Sequence, residues 1–470
     1  MKWVVLLLAL ISFIRANPLY SDINHGFMEL KRDEANGAPG QVCLADAYNT
    51  LDPNWNKTYG IQEPQQISLS LTDDSHAMRV QFSTLGPVDH SILRYWPSKK
   101  SDKIITVQGK DWIFVDGGDA KRRLHLHKIK TKKLKPAITY QYQVGAAFGD
   151  EIYWSEEFEF HSASKKKEFS FLATGDVGAC NAVVVQHLKD LAKTHRYDFI
   201  TIAGDQAYDL ADFDGTKGDE YLNFMQNLFT RVPYLGSVGN HEGAYNFSHY
   251  KNRFNHVPYK ESKFDNPLMY SINYKSLHLI SFSTEIYFKG TESEIQAAVN
   301  WLEADLTKAN KHRHRRPWII FLTHHPIYCS GNNDDCTTKA LTIRNGPTNP
   351  STNQTWGGLE DILLKHRVDV YYSGHVHNYE RTFPVAKGKR TSTSYHNPPS
   401  FFQIVIGNAG QPEGPTGFKP GPYPDWSARR YESYGFSTFH VSPHALNIVH
   451  HQANEDGSLG GIVDQITVTK

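Results

Sequence analysis

Residues 199–208 read Phe-Ile-Thr-Ile-Ala-Gly-Asp-Gln-Ala-Tyr, an apolar run that turns polar at Gly204 and Asp205. A short apolar run that stops at glycine predicts a buried strand followed by a turn. Four other motifs follow predicted strands at 169–174, 232–238, 318–323 and 368–372; they are Gly175-Asp176-Val177-Gly178, Gly239-Asn240-His241-Glu242, Thr323-His324-His325 and Gly374-His375-Val376-His377. Because open α/β sheets bind ligands at the carboxyl ends of their strands, we expect the five motifs to form one site.

The side chains in these motifs are suited to binding two metal ions. Carboxylate, imidazole, amide and phenol groups suit iron, zinc or manganese, and the motifs offer no thiolate for a softer metal. His375 and His377 are separated by a single residue, and we expect this pair to serve two ions rather than to chelate one. Two ions need a bridging carboxylate. Asp205 is the expected bridge because it lies centrally in the motif order.

In order and content, the five motifs resemble those of the metallophosphoesterase superfamily, and Tyr208 narrows the resemblance to the purple acid phosphatases. The resemblance implies hydrolysis of phosphate monoesters to an alcohol and inorganic phosphate, by in-line attack of a metal-bound hydroxide at mildly acidic pH. It implies one metal held by Asp176, Asp205, Tyr208 and His377, and a second held by Asp205, Asn240, His324 and His375. Two carboxylates and a phenolate suit Fe(III), whereas the second set suits divalent zinc, iron or manganese.

Residues beside the expected ligands provide candidates for substrate binding and proton transfer. His241 is the candidate acid that protonates the leaving alcohol, with Glu242 orienting it, and Asn240 and His241 are the expected substrate contacts. His325 follows a ligand at a strand end, so we expect its side chain to point away from the site. Plant members of the family carry further histidines after the fourth motif. Residues 330–338 contain none here, and substrate contacts in that loop are not carried over.

The rest of the chain divides into two folded parts with different patterns. Short strands between turn signals predict an all-β sandwich over 61–163, similar to the fibronectin III-like domain of the larger purple acid phosphatases. A polar stretch at 162–168 is the expected linker. Apolar runs then alternate with helical segments near 182–195, 292–310 and 359–366, which predicts a layered α/β fold over 168–470, with β-sheets flanked by helices.

The amino-terminal region predicts passage through the secretory pathway. A basic start, an apolar stretch and Arg15-Ala16 are typical of a signal peptide over 1–16, followed by an extension over 17–60. We therefore expect a secreted protein or one of a lysosome-like compartment. Asn56, Asn246 and Asn353 begin glycosylation sequons. Cys329 and Cys336 enclose a turn-rich segment that predicts a disulfide, whereas the pairing of Cys43 and Cys180 stays open.

Charge and hydrophobic pattern limit the other functions that the chain could have. Removing residues 1–16 takes away Lys2 and Arg15 and changes the formal charge from +1 to −1, which argues against a nucleic-acid partner. No apolar run is long enough for a membrane span. Two other functions stay open: a phosphodiesterase of the same superfamily, against which Tyr208 argues, and a non-catalytic binding protein, against which the complete ligand set argues.

Overall fold

The computed structural model describes residues 57–100, 102–331, 333–349 and 351–470. The predicted signal peptide, Cys43 and the sequon residue Asn56 lie outside these residues, and the domain limits of 61–163 and 168–470 stay predictions. No helix among the described residues combines the length and apolar character that a membrane crossing needs.

Two antiparallel sheets form the first folded part. Its strands are β1 (Gln65–Leu71), β2 (Met78–Thr84), β3 (His90–Pro97), β4 (Ile105–Gln108), β5 (Lys110–Val115), β6 (Arg123–Lys130), β7 (Thr139–Phe148), β8 (Glu151–Trp154) and β9 (Phe158–His161). One sheet has the order β1-β2-β6-β5, and the other has the order β4-β3-β7-β8 with β9 also paired to β7. Alternate residues of β7, Tyr140, Tyr142 and Val144, are buried in the core between the sheets. This arrangement is the predicted all-β sandwich.

The second part contains two larger mixed sheets and the described helices. Its first strands are β10 (Phe169–Thr174), β11 (Val177–Gly178), β12 (Ile200–Ala203), β13 (Gln206–Ala207), β14 (Tyr234–Ser237), β15 (Tyr270–Tyr274), β16 (Leu277–Ser281), β17 (Trp318–Leu322) and β18 (Val370–Ser373). The helices are α1 (Val185–Ala192), α2 (Thr216–Phe229), α3 (Ala244–Arg253), α4 (Ile286–Lys289), α5 (Glu292–Lys311), α6 (Thr338–Asn345) and α7 (Leu359–Lys365). The remaining strands are β19 (Tyr379–Thr382), β20 (Val385–Ala386), β21 (Lys389–Arg390), β22 (Phe402–Ile406), β23 (Ser427–Tyr431), β24 (Gly435–Val441), β25 (Ala445–Ala453) and β26 (Leu459–Thr469).

The two larger sheets pack face to face. A six-stranded sheet has the order β14-β12-β10-β24-β25-β26, and a seven-stranded sheet has the order β15-β16-β17-β18-β22-β19-β23. Between them, the rings of Tyr372 and Phe439 lie 6.1 Å apart in one apolar core. On the outer face of the seven-stranded sheet, Phe321 packs in a second core with Leu302 of α5 and Leu363 of α7. The structure thus confirms the predicted layered α/β fold.

Helix limits differ from the predicted ones where backbone groups bond elsewhere. Helix α1 is shorter than the predicted 182–195, because Val184 donates its amide to Ala409 O (3.1 Å) and His195 adopts a positive φ of 53°. Helix α5 matches its pattern closely. Thr291 and Glu294 form a capping box at its start, and Ile295, Ala298 and Leu302 lie on its buried face.

Buried polar contacts join the sandwich to helices α2 and α3. Arg253 at the end of α3 donates to Asp219 Oδ1 (2.8 Å), to Gln66 Oε1 of the sandwich (2.8 Å) and to Gly215 O (2.7 Å). Asp219 also pairs with Arg122 of the sandwich, and His249 of α3 pairs with Asp116. Arg253, Asp219 and Arg122 are charged and almost fully buried, so each depends on its partners for compensation.

Replacing Arg253 by Met should therefore destabilise the whole protein. The substitution leaves Asp219 partly uncompensated and Gln66 Oε1 without its arginine donor, which should lower the free energy of unfolding by about 3–5 kcal/mol in urea titration. Arg123→Met, which changes an exposed arginine of β6, is the matched control and should stay within about 0.5 kcal/mol of wild type. Equal values for the two variants would contradict the role of Arg253.

Candidate metal centre

The five motifs meet where strands of both larger sheets end. Strands β10, β12 and β14 run parallel to one another, as do β17 and β18. Each of these strands ends within a few residues of one motif, so their carboxyl ends bring the motifs together. All the predicted ligands lie at this edge; they are Asp176, Asp205, Tyr208, Asn240, His324, His375 and His377.

A first group of side chains gathers around Tyr208. Its hydroxyl lies 3.3 Å from Asp176 Oδ1 and 2.9 Å from His377 Nε2. His377 Nε2 lies 3.6 Å from the same carboxylate oxygen. One phenol, one carboxylate and one imidazole therefore converge on a single point.

A second group gathers around His324. Its Nε2 lies 3.0 Å from Asn240 Oδ1, 3.0 Å from Asp205 Oδ2 and 3.2 Å from His375 Nδ1. The Nδ1 atom of His324 faces Ala203 O at 2.7 Å, which leaves Nε2 for the centre. Asp205 belongs to both groups, since carboxylate oxygens of Asp176 and Asp205 and a ring nitrogen of His324 all lie within 4.8 Å of one another.

Close approach of the motif backbones makes this convergence possible. A Cβ atom at Gly374 would lie 2.3 Å from Asp176 Oδ2. Gly204 has φ +83°, and a Cβ there would lie 2.5 Å from His324 Nδ1. Among the predicted ligands, φ is positive at Asp176, Asp205, Tyr208 and His375, with values of 61°, 53°, 49° and 67°. Such conformations are unfavourable for residues other than glycine and typically persist at functional sites.

The donor set fits metal cations. Burial raises the pKa of Asp176 well above its usual range, and the Asp205 carboxylate adds to this effect while His324 opposes it. Burial and the same two carboxylates also raise the pKa of Tyr208. Acidic groups crowded together in this way hold protons unless a cation replaces them. A cation bound here would take the place of the proton that burial favours on Asp176.

Sequence comparisons give the same family for each part of the chain. The model for calcineurin-like phosphoesterase matches residues 169–379, the model for the purple acid phosphatase N-terminal domain matches 64–162, and the model for iron/zinc purple acid phosphatase-like protein C matches 400–460. Acid phosphatase type 7 of Homo sapiens is 35% identical over 419 residues, which cover 87% of this chain and 91% of that protein. The chain belongs to the purple acid phosphatase family.

More distant members of the family agree with this assignment. Purple acid phosphatase 21 of Arabidopsis thaliana is 26% identical over 412 residues, which cover 86% of this chain and 84% of that protein. A purple acid phosphatase from yellow lupin (Lupinus luteus) seeds has a similar fold, with a TM-score of 0.69 at 20% identity over 87% of this chain and 74% of that one. The predicted family and fold class are therefore confirmed.

In this family member, Glu242 has a different role from the predicted one. Its carboxylate does not orient His241 but accepts hydrogen bonds from the backbone amides of Gly239 (2.6 Å), Asp205 (3.1 Å) and Gln206 (2.5 Å). Glu242 therefore ties the loop after β12 to the loop after β14. Only the side-chain contacts of the folded chain reveal this role.

The orientation expected for His325 is wrong. Its ring centroid lies 3.8 Å from that of His375, and its Nε2 lies 2.8 Å from Glu285 Oε1. The motif leaves β17 at Leu322, so strict alternation of side chains no longer applies at His325. A ring nitrogen of His325 lies within 4.8 Å of the corresponding atoms of His324 and His375, which places this residue beside the second group.

The structure also brings three unpredicted carboxylates to the imidazoles of His375 and His377, which are predicted ligands, and to His241. Asp335 Oδ1 lies 2.9 Å from His375 Nε2. Asp209 Oδ1 lies 3.1 Å from His241 Nδ1, and Glu413 lies 3.7 Å from His241 Nε2 and 3.8 Å from His377 Nδ1. Sequence spacing gives no signal for Asp335 or Glu413, because both come from loops whose path depends on the fold.

The loop that carries Asp335 is held at both ends. Cys329 and Cys336 form the predicted disulfide, and the amide of Ser330 donates to the buried carboxylate of Glu380 at 2.8 Å. Cys180 is disulfide-bonded as well. Asn246 and Asn353 are exposed, so both predicted glycosylation positions are accessible.

Asp335→Asn should weaken metal binding by the second group of ligands. His375 presents Nδ1 to the centre and Nε2 to Asp335, and a carboxylate on the outer nitrogen of a ligand imidazole typically strengthens metal affinity about 10–100-fold. Competition with a chelator, followed by metal analysis, should show a loss of this size. The exposed neighbour variant Asp334→Asn should retain metal as wild type does; equal retention in both variants would contradict the role of Asp335.

Proposed function

We propose that this acid phosphatase hydrolyses phosphate monoesters with two metal ions that share Asp205. The observation that carries the proposal is the division of the ligands into two groups that meet at this carboxylate, one around Tyr208 and one around His324. A second carboxylate, Asp176, lies beside Asp205 on the Tyr208 side. The substrates are small phosphate monoesters, and no nucleic-acid partner is part of the proposal.

The two groups of ligands suit ions of different charge. Asp176, Asp205 and Tyr208 supply up to three negative charges and favour Fe(III), with His377 completing the set. Asn240, His324 and His375 are neutral ligands and favour Zn, Fe or Mn as a divalent ion. When bound, such a pair of ions supplies an acidified water and polarises the phosphoryl oxygens.

His241 is the proposed proton donor to the leaving alcohol. Its backbone amide donates to Asp205 Oδ1 at 3.0 Å, which fixes the residue beside the shared carboxylate. Its ring packs against that of Tyr208, with centroids 4.3 Å apart, and Asp209 lies at Nδ1. The ring is partly exposed, and Nε2 is the nitrogen available to a substrate. Asn240 and His241 are the proposed substrate contacts.

The proposal includes entry into the secretory pathway. The predicted signal peptide over 1–16 would direct the chain there, where disulfides form and sequons are modified. Exposed Asn246 and Asn353 would then carry glycans, as would Asn56. The protein would act outside the cell or in a lysosome-like compartment.

The metal-loaded protein should hydrolyse p-nitrophenyl phosphate much faster than its bis ester, with two metal ions per chain by metal analysis. Loading with iron should also give a visible absorption band from the Tyr208 phenolate. Tyr208→Phe should abolish this band while leaving the second metal in place. A preference for the bis ester would identify a phosphodiesterase, and no hydrolysis by fully loaded protein would indicate a binding role. A band that survives Tyr208→Phe would refute the assignment of the trivalent site.

His241→Asn should affect substrates according to their leaving groups. The alkoxide released from glycerol 2-phosphate needs a proton, so kcat/KM for this substrate should fall about 100-fold. p-Nitrophenolate leaves with little assistance, so its kcat/KM should fall less than about 10-fold. The same variant thus provides its own control. An equal loss with both substrates would show that His241 binds or positions the substrate and does not protonate the leaving group.

A further inference from the structure

One face of the sheet β1-β2-β6-β5 carries an unusual arrangement of positive charge. Arg79 of β2 lies directly opposite Lys130 of β6, and Lys110 of β5 lies directly opposite Lys128 of β6. Lys128 and Lys130 are two residues apart, so all four side chains lie on the same face. Like charges directly opposite each other destabilise a sheet. Two such pairs side by side thus lower the stability of the sheet, and their presence needs an explanation.

These four cations line a pocket of about 380 Å³ together with a segment of the phosphatase part. From that segment, Asn255, Tyr259, Lys260 and Glu261 line the pocket. Lys260 adds a fifth cation from the other side. Glu261 is the only acid among these described lining residues, and it already pairs with Arg79. The pocket is therefore strongly positive in a chain whose formal net charge is only +1.

Contacts within the pocket position the lysines without neutralising them. Lys128 Nζ donates to Asn255 O at 3.0 Å and lies 5.9 Å from the centroid of the Tyr259 ring. Lys260 Nζ lies 5.6 Å from the same ring. Lys110, Lys130 and Lys260 are exposed and form no ion pair with any described residue. A role in joining the two parts of the chain thus accounts for Arg79 and Lys128, but not for the other three cations.

The charge of Lys128 is unfavourable in the protein alone. Burial lowers its pKa to about 7, and Arg79, Lys260 and Lys110 contribute to the decrease. A bound anion would reverse the effect of these neighbours.

We propose that this pocket binds a compact polyanion that carries two or more phosphate or sulfate groups. Neighbouring strands lie about 5 Å apart and alternate residues along a strand about 7 Å apart, so one tetrahedral anion cannot contact all five cations. Phosphate and sulfate oxygens accept charge-assisted hydrogen bonds from lysine and arginine. Condensed phosphate and sulfated saccharide are two sources of this chemistry. None of the lining residues belongs to the metal centre, so the site is additional to the phosphatase site.

The test compares binding of two probes, tripolyphosphate and sucrose octasulfate, by calorimetric titration of the metal-loaded protein. Lys110→Gln/Lys130→Gln removes two exposed cations from the pocket and should weaken binding of at least one probe about tenfold or more. The probe that is affected identifies the source of the ligand. Lys132→Gln/Lys133→Gln makes the same change in charge at exposed positions just beyond β6 and should leave affinity within about twofold. The metal centre is the same in all three proteins, so its own affinity for the probes cancels in the comparison.

Two further measurements separate the pocket from the metal centre and from the fold. KM for p-nitrophenyl phosphate should be the same in all three proteins, whatever the outcome for the proposed phosphatase mechanism. Without probe, Lys110→Gln/Lys130→Gln should unfold at a temperature equal to or above that of wild type, because like-charge repulsion is removed. Equal affinity of the three proteins for both probes would overturn the proposal, and so would a pocket variant that unfolds at a lower temperature than the control.

Discussion

The burial of two carboxylates beside a phenol is the constraint on which this structure depends. Asp176 and Asp205 are almost inaccessible to water, and Tyr208 is nearly so. Bringing such groups together costs free energy that only cations or protons offset. The surrounding chain therefore helps to keep them together, through positive φ angles, glycines without room for a Cβ, and the three amides bound by Glu242.

Helix α3 connects the metal centre to the β-sandwich. Helix α3 begins at Ala244, three residues after His241, and passes through a left-handed segment at Tyr245, Asn246 and Phe247. Its second half then carries His249, Asn252 and Arg253 into the buried polar contacts with the sandwich. The loop that bears Asn240 is thus continuous with a helix that the sandwich holds through buried polar contacts. A rigid support of this kind is what a preorganised catalytic site needs.

The sequence predicts well those features of the fold that depend on local pattern and on the order of the strands. The five motifs, the layered fold and helix α5 follow from apolar periodicity and from glycine at strand ends. The orientation of His325 was not predictable, because it depends on where β17 stops. Asp335 and Glu413 were not predictable either, since loops distant in the chain bring them to ligand imidazoles. Glu242 was recognised as part of a motif, but its role depends on three amides from two loops. Sequence therefore indicates which residues reach the centre, whereas the contacts that orient them emerge only when separate loops meet.

The net charge of the chain gives no indication of its two proposed ion-binding sites, the metal centre and the pocket on the sandwich. The metal centre concentrates acidic groups, because Asp176, Asp205 and Tyr208 are buried close together. The pocket on the sandwich lacks negative charge, because Glu261 is the single described acid among five cations. Neither local concentration of charge is visible in the formal charge of the whole chain, which is +1. Each is maintained by packing: motif glycines allow the carboxylates to approach, and strand register sets Lys110 opposite Lys128. A protein that is neutral overall can therefore hold cations at one place and an anion at another, because local geometry, and not total charge, determines what each site binds.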